Sequence, residues 1–187
     1  MMTTTVGTNE FREAMSRLGA AVNIITTDGP AGLHGLTASA VCAVTDTPPT
    51  LLVCVNRIAS AHSALSPNGA LCVNVLASRH QPLSDLFGRR GASVDERFGG
   101  AEWRVLATGS PALSDAAVSL DCRISQVTEM GTHSVFFCHV VAIAMGSRPE
   151  GLIYFNRAYH DIAPPPPQPR VIDAARRHHD GCRECPP

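Results

Sequence analysis

The residues able to do chemistry fall in four short segments. The first, Gly35-Leu36-Thr37-Ala38-Ser39-Ala40-Val41, sets two hydroxyls two positions apart among small side chains. In an extended chain alternate residues share a face, so Thr37 and Ser39 point the same way and their neighbours leave the backbone approachable. Hydroxyls and free backbone N–H groups can cradle a phosphate without a lysine. The same pattern also describes a tightly packed strand whose hydroxyls bond adjacent backbone. In the second segment, Cys54-Val55-Asn56-Arg57-Ile58-Ala59-Ser60, an apolar strand runs into a polar turn. There Arg57 can pair with a phosphate or a carbonyl, or stand solvated at the surface. The third, Gly131-Thr132-His133-Ser134, precedes a strongly apolar strand. That placement sets His133 at the mouth of a barrel, as a ligand contact or as a hydrogen-bonded structural histidine. The fourth, Tyr154-Phe155-Asn156-Arg157-Ala158-Tyr159-His160, supplies aromatic planes and a cation, for a ligand or for closing the core.

Missing motifs narrow the chemistry. There is no G-x-S-x-G elbow, no H-E-x-x-H helix and no G-x-G-x-x-G after a strand. No two carboxylates stand at a spacing suited to acid–base work. All fifteen basic residues are arginine, which excludes a P-loop lysine, a Schiff-base lysine and a lysine base. Such an inventory suits an enzyme whose hard chemistry is carried by a bound cofactor, with the chain supplying position.

The elements that must position these segments are mostly strands. Thr8 is a candidate cap for a first helix that carries Phe11, Ala14, Met15 and Leu18 at helical spacing and stops at Gly19. Extended character follows over Ala21 to Thr27, Leu33 to Val44, Leu51 to Val55 and Ala70 to Leu76, with turn clusters at Asp28-Gly29-Pro30 and Asp46 to Pro49. Ala59 to Leu65 forms a helical turn ending at Pro67-Asn68-Gly69. The polar stretch Arg79 to Phe98 is helical in pieces, with Leu83, Leu86 and Phe87 as its buried face. Strands return at Val118 to Val127, Val135 to Met145 and Leu152 to Phe155. Short strands with regular breaks and little helix between them predict a closed β-barrel or sandwich, mainly β with flanking helices. A doubly wound sheet would need a helix after nearly every strand.

Composition sets further bounds. The 187 residues are 44% apolar and 17% charged, with a net charge of −1. This is a globular balance with no broad basic field for nucleic acid or an anionic membrane. The longest near-apolar run, Val135 to Met145, has eleven residues and includes His139, against about 20 for a membrane span; it reads as a buried strand. Met1 to Glu10 lacks the basic and apolar regions of a signal peptide. Of the seven cysteines, Cys42, Cys54, Cys72, Cys122 and Cys138 lie in apolar stretches, where a free thiol behaves as a small hydrophobe. A soluble, cytoplasmic, reduced protein is expected. Residues 1–162 form the expected domain and 163–187 a proline-rich, extended tail beginning with Pro164 to Pro167. Its His178, His179, Cys182 and Cys185 have zinc-like spacing without apolar support, so a functional metal is not expected.

The ordered set of pieces resembles a known family. They are Phe11-Arg12-Glu13-Ala14-Met15, Gly35 to Val41, Thr47-Pro48-Pro49, Cys72-Val73-Asn74-Val75-Leu76, Leu86-Phe87-Gly88, Arg97-Phe98 with Trp103, Gly131-Thr132-His133 and Arg157-Ala158-Tyr159. Over about residues 9 to 161 the chain is similar to the short-chain NADH:flavin reductases that serve two-component monooxygenases. Within them, Ala21 to Gly32 and Cys122 to Val127 look like the branch that feeds an oxygenase opening the uracil ring. The resemblance implies an FMN-binding split β-barrel of Greek-key type and a homodimer with the flavin near the subunit interface. It also implies NADH as donor and reduced FMN passed by diffusion to a flavin-dependent monooxygenase. Carried over by position, Leu36, Thr37, Ala38, Ser39 and Ala40 would line the flavin and take its phosphate, helped by Cys54, Val55, Asn56, Arg57 and Ser60. Phe87 and Gly88 would touch it from a helix. His133 would be the catalytic residue on the nicotinamide side, with Phe155, Arg157 and Tyr159. Many relatives carry an acidic residue before that histidine; here Thr132 stands there, and a hydroxyl orients the ring less strongly. A phenol-type monooxygenase as partner, or a flavin or haem carrier without turnover, are the alternative readings.

Overall fold

A computed structural model describes residues 6–148 and 150–163. The proline-rich tail, with its histidine and cysteine cluster, lies outside the described residues. The chain runs α1 (Thr8–Ser16), β1 (Ala20–Ala21), β2 (Asn23–Thr27), β3 (His34–Ala38), β4 (Val41–Asp46), β5 (Pro49–Asn56), α2 (His62–Asn68) and β6 (Ala70–Val75). A 3-10 turn at Ser78–His80 leads to α3 (Gln81–Gly88) and α4 (Val94–Gly99). β7 (Trp103–Val105), β8 (Pro111–Leu113), β9 (Val118–Met130), β10 (His133–Met145), β11 (Gly151–Phe155) and β12 (Ala158–Ile162) follow.

Seven antiparallel strands form the main sheet in the order β3-β2-β6-β9-β10-β5-β4. β2 shows why it holds together: Ile24 and Ile25 point to opposite faces, yet both are fully buried. Ile25 joins Val53, Leu71, Val73 and Phe136 inside the barrel. Ile24 joins Leu76, Phe87 and Leu113 beneath α3 and β8. Fully burying a side chain of this size contributes about 1.5–3 kcal/mol, so the two faces of β2 clamp the sheet to its helical cover. No helix among the described residues is long and apolar enough to cross a membrane.

The sequence reading needs several corrections. The barrel is not closed: β3 and β4 are the outer strands of the sheet, and among the described residues no ladder joins them. Leu33 to Val44 is two strands parted at Ser39-Ala40. Thr8 makes no capping bond; Gly7 occupies the cap position of α1. On α3 it is Ser84 and Phe87 that are buried, while Leu83 and Leu86 are half-buried. Only the first half of Val135 to Met145 is covered, since Val141, Ile143 and Met145 are 44%, 58% and 75% exposed. The cysteines divide likewise: Cys72, Cys122 and Cys138 are buried, Cys54 is half-buried and Cys42 exposed. β12 went unread because its turn, Asn156-Arg157, carries no glycine, although both residues adopt positive φ (49° and 62°).

Candidate functional site

Where β3 and β4 part, a cleft of about 660 Å³ opens, within the size range of small-molecule pockets. Three elements build it. The end of β3 and the link to β4 supply Leu36 through Ala40, and the end of β5 supplies Cys54 through Asn56. The C-terminal end of α3 and the loop after it supply Phe87, Gly88, Arg89, Arg90 and Gly91. Ser60 and His133 complete the lining, together with Ile58, Ala59 and Arg97.

Local packing explains the shape. Gly35 lies so close to α3 that a Cβ there would sit 2.5 Å from the Phe87 ring and 3.1 Å from the Ile25 carbonyl. Only glycine lets the helix come this near. The Phe87 ring is buried edge-on to Phe98 at 5.1 Å, with Trp103 behind both, an arrangement that fixes α3 against the sheet. The two hydroxyls of the first segment diverge. Thr37 donates to the Ser84 carbonyl at 2.6 Å and is thereby committed to holding α3. Ser39 is exposed in the cleft and has no protein partner among the described residues.

Charge concentrates at one end. Ser93 and Glu96 form a reciprocal capping box: the Ser93 N–H donates to Glu96 Oε2 at 2.7 Å and the Glu96 N–H to Ser93 Oγ at 3.1 Å. The box starts α4 and turns Arg97 inward. Arg97 is only 6% exposed. Its Nη1 donates to the Gly35 carbonyl at 3.2 Å and to Ser60 Oγ at 3.4 Å, and its Nη2 to the Arg89 carbonyl at 2.9 Å. Its Nε is buried without a partner, and no ion pair to it forms among the described residues; Glu96 pairs with Arg89 instead. A buried guanidinium that meets only neutral oxygens is an uncompensated cation. With Arg89 and Arg90 beside it, this end of the cleft suits an anion.

Other groups tune the walls. Burial raises the Cys54 thiol, with Cys42 nearby adding to the effect, so Cys54 is not a ready nucleophile. The His133 ring, half-buried at the rim, engages Thr132 Oγ1 through Nδ1 at 2.9 Å, which leaves Nε2 as the nitrogen open to a ligand.

Four residues expected at the site stand away from this cleft. Arg57 turns to the β9–β10 turn, donating to the Gly131 carbonyl at 2.5 Å and pairing with Glu129 at 3.4 Å. Arg157 pairs with Glu13 of α1 at 2.7 Å. Phe155 packs edge-on to His160. Tyr159 donates to Asp85 Oδ1 at 2.9 Å and lies 3.1 Å from Ser84 Oγ, bracing the outer side of α3. Three of the four come from the aromatic segment, which the tight turn at Asn156-Arg157 carries away from the cleft as it folds β12 back onto β11. Conversely, the reading passed over Arg89, Arg90 and Arg97 as ligand groups. The Ser93-x-x-Glu96 box in the sequence signals where α4 starts, but the inward turn of Arg97 depends on the distant Gly35 and Ser60 that receive it.

Comparison with known proteins agrees with this architecture. The flavin reductase like domain family matches residues 15–163. FMN reductase (NADH) RutF of Variovorax paradoxus is 62% identical over 157 residues, 84% of this chain and 87% of its own. A crystal structure from Haemophilus somnus, provisionally assigned as a flavin reductase, superposes with a TM-score of 0.81 at 44% identity, covering 84% of this chain and all of that one. A homologue of nitrilotriacetate monooxygenase component B from Mycobacterium thermoresistibile gives a TM-score of 0.77 at 28% identity, covering 88% and 93%.

Proposed function

Because the chain belongs to the flavin reductase like family, we propose that it is an NADH-dependent FMN reductase whose cleft takes the flavin between the parted strands β3 and β4. The observation that carries this is the buried Arg97, without an ion-pair partner among the described residues, at the end of a cleft whose β3–β4 wall is made of small side chains from Thr37 to Ala40. The residues fit FMN: the small side chains of Thr37 through Ala40 would admit a flat ring system against backbone, and Arg89, Arg90 and Arg97 would meet its phosphate. The Ser39 hydroxyl is free to donate to the same group. Bound FMN supplies the electron sink for a hydride from NADH. The chain's own task is to orient and to exclude water. His133, at the rim, faces the donor side, and the hydrophobic backing of Phe87, Phe98 and Trp103 keeps the α3 wall rigid. Donors held before any reaction cost no reorganisation when negative charge develops on the acceptor.

The relatives support the finer reading. One is named for its use of FMN and NADH, and another as a homologue of a monooxygenase component. On this reading the reduced flavin leaves by diffusion for a separate flavin-dependent monooxygenase, with a pyrimidine ring as that partner's substrate. Loose, micromolar-scale binding, about −8 kcal/mol, suits a flavin that must depart. On this reading the chain acts as a homodimer, and the exposed apolar side chains of Phe11, Met15 and Leu18 around α1 and of Val141, Ile143 and Met145 on β10 are available for such an interface. The test is NADH consumption by the purified protein with free FMN. Turnover that depends on added FMN supports the reading, and tight flavin binding without NADH oxidation would make the protein a carrier.

A further inference from the structure

We infer that Arg57 is a positioning residue for His133, acting on turnover through the imidazole and not on the flavin. The inference rests on the assignment of His133 to the donor side.

Several restraints on the turn that carries His133 meet at Arg57 and its partner Glu129. The Arg57 N–H donates to the Thr132 carbonyl at 3.0 Å, extending the β5–β10 ladder one step past the Asn56–His133 pair. Its guanidinium donates to the Gly131 carbonyl at 2.5 Å and lies 3.4 Å from Glu129 Oε2. Gly131 has φ 58°, so the turn is a sharp one that the guanidinium caps from outside. Glu129 in turn accepts from Ser134 Oγ at 2.8 Å. Ser134 is fully buried and lies 2.7 Å from His62 Nε2. Since the single Ser134 proton goes to Glu129, His62 Nε2 is the donor in that contact. Thr132 is thus held through its main chain and Ser134 through its side chain, one on each side of His133. Among the described residues the ring itself is tied only to Thr132.

The Arg57–Glu129 pair is about half-exposed on both sides, where such pairs add little to stability. Its effect is therefore expected in placement rather than in folding. A misplacement of about 1 Å can cost roughly 100-fold in rate, and a loosened turn should cost part of that.

The experiment compares Arg57→Gln, Glu129→Gln, His133→Ala and the Arg57→Gln/His133→Ala double variant of the full chain. It measures kcat and KM for NADH and, separately, Kd for FMN. Arg57→Gln and Glu129→Gln should each lower kcat/KM for NADH by about tenfold, with melting temperature and FMN Kd nearly unchanged. Coupled residues are non-additive, so the double variant should be no worse than His133→Ala. Multiplying effects, or a weakened FMN Kd in Arg57→Gln, would overturn the inference while leaving His133 in its role. A silent His133→Ala would overturn both the assignment and the inference built on it.

Discussion

Arg97→Met separates a ligand-binding cation from a structural clamp, because the first role predicts weakened FMN binding with little change in stability and the second predicts a loss of stability with binding unchanged. The substitution removes three bonds from a charged donor, to the Gly35 carbonyl, Ser60 Oγ and the Arg89 carbonyl, at about 1.5–3 kcal/mol each. It also removes a 6%-exposed charge with an unpartnered Nε, whose burial costs several kcal/mol when no counter-ion is present. The terms nearly cancel, so the flavin-free melting temperature should move by less than about 3 °C. Binding should not be spared. A hydrogen bond to a charged group contributes about 1.5–3 kcal/mol, a loss of roughly 10- to 150-fold in FMN Kd. Flavin-fluorescence titration reads this directly, and thermal shift reads it again. At FMN 100 times the parent Kd the ligand adds about 2.7 kcal/mol, whereas a variant 30-fold weaker would gain only about 0.9 kcal/mol. An unchanged Kd with a melting temperature lowered by more than about 5 °C would refute the reasoning and make Arg97 a clamp.

Two further predictions concern the hydroxyl pair and the acidic surface. Ser39→Ala should weaken FMN binding by about 1–3 kcal/mol, while Thr37→Val, whose hydroxyl holds the Ser84 carbonyl, should cost about 0.5–1.5 kcal/mol of folding stability and leave the FMN Kd close to the parent's; titration and denaturant unfolding of both variants check the contrast. For Asp115, burial acts upward, but hydrogen bonds from His80 and Arg79 outweigh it and hold the carboxyl below its usual range. A depressed native value means the contribution is present above the unfolded carboxylate value of 3.8 and fades as pH falls through the native one. Asp115→Asn should therefore be less stable than the parent near neutrality, with the gap in melting temperature closing in acid.

Most strands of the main sheet and the β3 and β5 walls of the cleft were legible because they rest on local signals. Small residues at Leu36 to Ala40 and the apolar run into Asn56 are contiguous, and contiguous residues stay together when the chain folds. What the sequence hid was set by contacts between distant segments. Thr37 and Ser39 look alike in the sequence, but Ser84, far along the chain, binds one and not the other. Arg57 reads as a free cation until the β9–β10 turn arrives to use it. The half of β10 that was expected to be buried lies open, since periodicity reports that a face is apolar and not what covers it.

The lack of lysine has a consequence at the cationic end of the cleft. Guanidinium groups stay protonated across the working range of any enzyme, so Arg89, Arg90 and Arg97 present a permanent field that acid and base cannot switch off. A nucleotide phosphate, by contrast, gains or loses its second proton near pH 6. Weaker capture on mild acidification would follow from the visitor, whose phosphate charge is the one that changes.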